Sequence, residues 1–305
     1  MDIIYSEFLK ILPPDKVKRN EPMNRHTTFR VGGTADYFVL PSTVKELKNI
    51  LMFVKDKEIP YYVVGNGSNL LVSDNGFKGV IIKYSSNEAA DIVNNNNKLY
   101  VDAPSDMLLS KLAVLTAQNG GAGFEFAAGI PGTLGGAVFM NAGAYDGEIK
   151  DNIVYADILK EDGTLVRINK DGLELGYRSS ILQKEEGIVI RAGFEFEISE
   201  PDIINAKIKE LNEKRREKQP LEYPSAGSTF KRPEGSFAGK LIMDAGLKGA
   251  SVGAARVSEK HCGFIINDGG SSAADIYALI CRVRETVYRK YGIMLEPEVK
   301  MIGRF

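Results

Sequence analysis

The sequence is poor in the residues that most often announce a chemistry: two histidines, two cysteines and a formal net charge of −1 across 305 residues. So slight a charge supplies no basic face for a phosphodiester backbone, which excludes general nucleic-acid binding. Any phosphate bound here is expected to be held by backbone dipoles more than by lysines. Cys262 and Cys281 make no disulfide framework and fit a reducing cytoplasm. A Ser-His-Asp triad would need His26 or His261, and Ser228 lacks the nucleophile elbow, lying in Ala226-Gly227-Ser228-Thr229-Phe230. Metal-ligand spacing is absent, because His261 and Cys262 are adjacent and in a strand face opposite ways. Cys262 reads instead as a small buried hydrophobe. No apolar run is long enough to span a membrane, and Met1–Pro14 patterns as a docking helix, not a signal peptide. There are no repeats, and the one low-complexity patch, Asn94–Asn97, reads as a turn.

What the sequence does have is glycine among apolar residues. Asn119–Gly147, NGGAGFEFAAGIPGTLGGAVFMNAGAYDG, holds nine glycines in 29 residues. Flexible linkers pair glycine with serine and polar residues, whereas Phe124, Phe126, Ile130, Leu134, Val138, Phe139 and Met140 demand burial. This is packed backbone with no room for side chains. Within it Ile130-Pro131-Gly132-Thr133-Leu134-Gly135-Gly136 can turn tightly and present successive N–H groups, the geometry of an anion-binding nest. A diphosphate is the natural guest, although such clusters also mark plain turns and close crossings. A second turn, Gly65-Asn66-Gly67-Ser68-Asn69, follows the short strand at Tyr61, and two such turns could clasp one long ligand. Neither is the Rossmann fingerprint: Gly65-x-Gly67-x-x-Leu70 lacks the third glycine, and Gly121-x-Gly123 is followed by Phe126. A nucleotide-type cofactor in another fold is the expectation.

The remaining chain predicts two or three domains. Thr28–Leu40 reads as strand, turn and strand around Gly32-Gly33. Ser42 is placed as the cap of a helix whose Val44, Leu47, Ile50, Leu51 and Val54 share a face. Strands follow near Tyr61 and Val80. After a polar break at Ser85–Asn97 comes a strand at Lys98–Asp102, then a helix capped by Ser105, carrying Leu108, Leu109, Leu112 and Leu115 and ended by Gly120. Ile153–Asn169 is a hairpin turning at Glu161-Asp162-Gly163, and Gly187–Ile198 is a strand pair or one long strand. The pattern changes at Ser199-Glu200-Pro201, giving a domain boundary and the division 1–84, 85–198 and 199–305. Pro201 opens a helix whose stripe runs Ile204, Ile208, Leu211 and then Arg215, so spacing alone puts this arginine inward and Lys214, Arg216 and Lys218 outward. Helices at Phe237–Ala245 and Ser272–Tyr291 and strands at Gly263–Asn267 and Ile293–Ile302 make an α+β carboxy-terminal unit.

Three polar residues sit where strands or loops would aim them inward: Arg178 in Leu175-Gly176-Tyr177-Arg178-Ser179-Ser180, Ser228 in its proline-framed loop, and Glu298 in Leu295-Glu296-Pro297-Glu298-Val299. Each also has a plain account, as a surface arginine, a turn serine and a solvated edge carboxylate.

In order along the chain, Arg30-Val31-Gly32-Gly33-Thr34-Ala35, Gly65–Leu71, Ala128–Gly136, Gly176–Ser180, Ala226–Pro233 and Leu295–Val299 resemble the motifs of the UDP-N-acetylenolpyruvoylglucosamine reductases. The resemblance covers nearly the whole chain. It implies an α+β protein with a two-subdomain FAD-binding fold of the vanillyl-alcohol-oxidase type (1–84 and 85–198) and a carboxy-terminal substrate-binding domain (199–305). It further implies FAD between the subdomains, its diphosphate against Gly65, Asn66, Gly67, Ser68 and Asn69 and against Gly129, Ile130, Pro131, Gly132, Thr133, Gly135 and Gly136. The first loop holds no histidine, so FAD is expected to be non-covalent. Little chain separates Arg178 from Gly187, which resembles the short form of the family, without the extra tyrosine-bearing loop.

By the same resemblance NADPH is the reductant and UDP-N-acetylglucosamine enolpyruvate the substrate, reduced to UDP-N-acetylmuramate for peptidoglycan. Arg178 and Glu298 would stabilise charge toward the substrate carboxylate, and Ser228 would protonate the α-carbon. Arg215, Tyr145, Lys240 and Tyr177 are candidates for substrate phosphate or carboxylate. No metal, nucleic-acid or membrane partner is expected, and oligomeric state is open. Two other readings stand beside this one: an FAD oxidase or dehydrogenase of the same superfamily on another alcohol or sugar, and a non-catalytic protein binding a flavin or nucleotide sugar.

Overall fold

A computed structural model describes residues 2–305, so Met1 of the expected amino-terminal helix lies outside the description. The chain divides into two compact units, each assembled from separated segments. One holds the chain up to Lys18, Tyr37–Gly65 and Val80–Arg215; the other holds Arg19–Asp36, Asn66–Gly79 and Arg216–Phe305.

In the first unit, helices Ile3–Ile11 and Val44–Asp56 close one core, where Phe8, Leu47, Ile50, Leu51 and Val54 are buried together with Val39, Val80 and Ile82. The second helix is capped one residue later than expected. Thr43 Oγ1 accepts the Glu46 N–H at 3.1 Å, while the Glu46 carboxylate accepts the N–H of Ser42 at 2.7 Å. A threonine three residues before a glutamate completes a reciprocal capping box, and Ser42 is one position too early to do so. Tyr61–Val63 lies parallel to Val80–Ile82.

The same unit carries a six-stranded sheet in the order Leu165–Asn169, Ile153–Lys160, Gly187–Ile198, Lys98–Pro104, Asp91–Asn95, with Gly121–Ala122 paired to the end of Gly187–Ile198. Gly187–Ile198 is one unbroken strand. The polar break is only partly a break: it contains strand Asp91–Asn95, joined to Lys98–Pro104 through Asn96 and Asn97, both left-handed at φ 50° and 62°. Asparagine tolerates that conformation, which tight hairpins need at both central positions. Ser105 caps nothing. The helix begins at Leu109 with Leu108 extended at its N-cap, while the Ser105 carbonyl accepts the Gly135 N–H at 2.8 Å. Leu108 is accordingly exposed, and the buried face is Leu109, Leu112, Ala113, Thr116 and Ala117.

In the second unit, antiparallel strands Ser251–Val252, Ala255–Val257 and Ile265–Asn267 pack with helices Ala238–Asp244 and Ala273–Tyr291 around Phe230, Ile242, Ile276, Leu279, Ile280 and Val283. Helix Ala273–Tyr291 is doubly capped: Ser272 and Asp275 form a box, Asp74 accepts the Ala273 and Ala274 N–H groups at 2.9 and 2.8 Å, and Gly292 ends it at φ 69°. Anionic groups at a helix N-terminus complement its unpaired donors. Two strand expectations shorten here. Thr28–Leu40 yields only Thr34–Val39, because Arg30 at φ 58° and Gly32 at φ 116° break the extension. The last strand is only Lys300–Ile302, parallel to Leu70–Val72; ahead of it Pro297 makes a single bridge to Phe230.

Candidate active site

The glycine-rich stretch of the first unit is as crowded as its composition requires. A β-carbon on Gly65 would overlap the Thr133 hydroxyl, one on Gly129 would overlap the Arg215 guanidinium, and one on Gly135 would come within 3.0 Å of Ser105 Cβ. Thr133, extended at φ −92° and ψ 159°, leads into the short helix Leu134–Met140. Two amides of the nest are already used, Leu134 donating to the Met107 carbonyl at 2.9 Å and Gly135 to that of Ser105 at 2.8 Å. Among the described residues this leaves the N–H groups of Gly132, Thr133 and Gly136 for an incoming anion.

Arg215 adds a charge to those dipoles. It is 6% exposed on helix Pro201–Lys218, inward as its spacing predicts, while Lys214, Arg216 and Lys218 are exposed. Its Nε and Nη1 are buried with no hydrogen-bond partner. Burial pushes its pKa below the ordinary arginine range, opposed by a hydrogen bond with Tyr145, whose ring centroid lies 5.6 Å from the guanidinium carbon. An arginine stays protonated at neutral pH despite such a shift. A buried cation with two unsatisfied nitrogens is costly unless an anion completes it, and this one lies against Gly129 at the start of the nest. These residues fit a diphosphate, and so fit FAD.

Tyr145 and Asp146, both left-handed at φ 50° and 66°, turn the hairpin that pairs Gly143–Ala144 with Gly147–Glu148. Arg178 docks on that hairpin, its Nη2 donating to the Gly143 carbonyl at 2.9 Å. It sits in the tight turn Gly176–Ser179 at φ 51°, with the Tyr177 ring 5.0 Å from its guanidinium carbon and Tyr177 itself exposed. Arg178, Tyr177, Tyr145, Arg215, Gly65 and Gly129–Gly136 therefore belong to one unit, with Arg178 and Arg215 meeting the same hairpin. Between Arg178 and strand Gly187–Ile198 there is one 3-10 turn, Ile181–Gln183.

The second unit holds the other candidates. Gly67, at φ 61°, is pressed against the His26 carbonyl, where a side chain has no space. Asn69 Nδ2 donates to the Glu298 carbonyl at 3.1 Å. The buried Thr229 joins Ser228 to the Glu298 segment: its carbonyl accepts the Glu298 N–H at 2.8 Å, its N–H donates to Gly263 at 2.8 Å, and its Oγ1 accepts the Ile265 N–H at 3.0 Å. Ser228 Oγ donates to the Phe230 carbonyl at 3.3 Å. The turn at Asn69, Ser228 and Glu298 are thus gathered. Glu298 is half-buried, whereas Glu296 is exposed and paired with Lys231 at 2.6 Å. Lys240 is an exposed residue bonded to Asp244 on its own helix.

Two residues emerge that motif reading passed over. His261 Nδ1 accepts the Gly263 N–H at 3.1 Å, so the neutral ring carries its proton on Nε2, and burial pushes its pKa down. Gly263 stands beside both His261 and Ser228: a β-carbon there would meet His261 Cε1 at 2.9 Å and the Ser228 hydroxyl at 3.5 Å. The other is Asn141, wholly buried at the end of helix Leu134–Met140. Its only sequence signal was membership of the glycine-rich stretch.

Residues 219–302 match the family described as UDP-N-acetylenolpyruvoylglucosamine reductase, C-terminal domain, and residues 35–169 match an FAD binding domain. A UDP-N-acetylenolpyruvoylglucosamine reductase of Lachnoclostridium phytofermentans is 50% identical over 303 residues, 99% of this chain and 98% of the relative. The chain belongs to the UDP-N-acetylenolpyruvoylglucosamine reductase family. A reductase of the same name from Clostridium botulinum strain Alaska E43 is 50% identical over 97% of this chain and 96% of its own. The crystal structure of the Thermus caldophilus reductase superposes with a TM-score of 0.78 at 33% identity, covering 94% of this chain and 98% of that one. As a member of this family the protein is an FAD-dependent oxidoreductase, α+β in class, with an FAD-binding domain followed by the reductases' carboxy-terminal domain. Among the described residues no helix is long and apolar enough to cross a membrane.

Proposed function

We propose that the protein reduces UDP-N-acetylglucosamine enolpyruvate to UDP-N-acetylmuramate with NADPH, through non-covalent FAD, in peptidoglycan precursor synthesis. The observation that carries this reading is 50% identity to a reductase of that name across 99% of the chain, through both the flavin and the carboxy-terminal segments. Residues 1–84 and 85–198 are assigned to the flavin and 199–305 to the substrate, with Arg215, which lies against Gly129, the exception assigned to the cofactor. The unpaired cysteines support a cytoplasmic setting.

Bound FAD supplies a hydride relay, from NADPH to the distal carbon of the enolpyruvyl double bond. The protein's residues do the rest. The amides of Gly132, Thr133 and Gly136, with the Gly65–Asn69 turn and Arg215, hold the cofactor's diphosphate. Hydride addition leaves negative charge spread toward the substrate carboxylate, and Arg178 stabilises it electrostatically while Glu298 polarises the carboxylate. Ser228 gives its hydroxyl proton to the α-carbon, so that one hydride and one proton together saturate the double bond. Serine is a weak acid, but a carbanion-like carbon is a far stronger base, and nearby cations ease the alkoxide left behind. Tyr145, Tyr177 and Lys240 are assigned to the substrate's phosphates or carboxylate.

The test uses the purified yellow protein under anaerobic conditions. NADPH should bleach the flavin, and UDP-N-acetylglucosamine enolpyruvate should restore the oxidised spectrum with formation of UDP-N-acetylmuramate. Flavin that NADPH cannot bleach, or bleached enzyme that this substrate does not reoxidise, overturns the reading.

A further inference from the structure

We infer that Asn141 is a positioning residue for Arg178: its buried carboxamide ties together the two turns on which the guanidinium depends. Asn141 ends helix Leu134–Met140 in the left-handed conformation, φ 41° and ψ 58°. That backbone role asks only for glycine or asparagine. The side chain does more. It is 0% exposed, and its three hydrogen bonds reach two separate segments. Nδ2 donates to Glu148 Oε2 at 3.0 Å, on the hairpin carrying Tyr145, and to the Gly176 carbonyl at 2.9 Å, on the turn carrying Arg178. Oδ1 accepts the Lys150 N–H at 2.9 Å, just past the hairpin. A carboxamide is the neutral side chain that donates twice and accepts at one site.

The turn is held from its other side as well, where Gln183 Nε2 donates to the Arg178 carbonyl at 3.0 Å and the buried Ser180 Oγ donates to the Phe139 carbonyl at 2.7 Å. Gly176 and Ser179 exchange backbone bonds at 3.1 and 3.2 Å, and Arg178 between them is left-handed at φ 51°. A non-glycine residue in that region costs on the order of 1 kcal/mol and persists when its surroundings over-determine it. Asn141 clamps the turn at Gly176, and Arg178 Nη2 reaches the Gly143 carbonyl of the same hairpin, so the two residues close one frame from opposite sides. The bond to Glu148 also holds that carboxylate toward Asn141, where Lys150 Nζ pairs with it at 2.7 Å.

This inference rests on the proposed role of Arg178. The experiment compares wild type, Asn141→Gly, Arg178→Ala and the double variant as holoenzymes, timing flavin reduction by NADPH and reoxidation by UDP-N-acetylglucosamine enolpyruvate separately. Glycine keeps the left-handed backbone and removes only the side chain. Asn141→Gly should slow reoxidation on the order of 10- to 100-fold, the scale of a ~1 Å misplacement, while reduction by NADPH serves as the internal control. The double variant should be no slower than Arg178→Ala alone, because the clamp matters only while the guanidinium is there. Should Asn141→Gly not fold, Asn141→Asp keeps the volume, loses both donors and enters the same comparison. Equal slowing of both half-reactions, or full additivity with Arg178→Ala, overturns the inference. Arg178→Ala reoxidising at the wild-type rate overturns the role of Arg178 itself. Wild type that is not reoxidised at all overturns the proposed function.

Discussion

A β-carbon on residue 129 would overlap the guanidinium of Arg215, so the glycine that opens the nest and the buried arginine occupy adjoining space that neither can enlarge. With Nε and Nη1 lacking partners, the guanidinium is placed to complete its bonds on an anion held by the same nest. Gly129→Ala and Arg215→Met should each weaken FAD binding about tenfold or more, the loss of roughly one charged hydrogen bond. The flavin-to-protein absorbance ratio and a fluorescence titration of stripped protein measure this. Arg215→Met should also raise the melting temperature of the flavin-free protein, because a buried charge with two unsatisfied nitrogens gives way to an apolar chain of similar length. Normal flavin affinity in Arg215→Met would return this arginine to the substrate side.

Ser228→Ala should separate the proposed proton delivery from hydride supply. Reoxidation of the reduced enzyme by the enolpyruvyl substrate should slow by about 100-fold or more, within the range for loss of a positioned general acid. Reduction by NADPH should stay close to wild type. Rapid-mixing absorbance of the flavin follows both steps. An equal loss in the two half-reactions would remove Ser228 from its assigned role.

His261 predicts a pH dependence of stability. Burial lowers its folded pKa, and its Nδ1 already accepts the Gly263 N–H, a bond that protonation of that nitrogen destroys. The unfolded chain therefore takes up the proton first, at a pH of roughly 6.5. Stability contributed by the neutral ring is complete above that value and is lost as pH falls from it toward the lower folded pKa. In thermal melts between about pH 7 and pH 5, wild type should lose more stability than His261→Asn, whose amide oxygen can still accept the Gly263 N–H. Parallel melting curves would refute the assignment.

Arg215 shows what periodicity can reveal. Steps of four, three and four from Ile204 put it on the buried face before any partner was known. The final helix, expected over Ser272–Tyr291, likewise spans Ala273–Tyr291. Ser105 shows where local reading stops. A serine ahead of an apolar run invites a cap, but its carbonyl serves Gly135, some thirty positions on, and the helix waits until Leu109.

By itself the sequence determined the family, the glycine nest, the inward arginine and most of the helices, because these depend on neighbours within a few residues and on motif order. Tertiary structure alone decided that Thr229 joins the serine loop to Glu298, and that one asparagine serves partners seven, nine and thirty-five residues away. A buried polar group takes whatever partner the folded backbone brings within about 3 Å, and no pattern along the chain encodes which distant carbonyl that is.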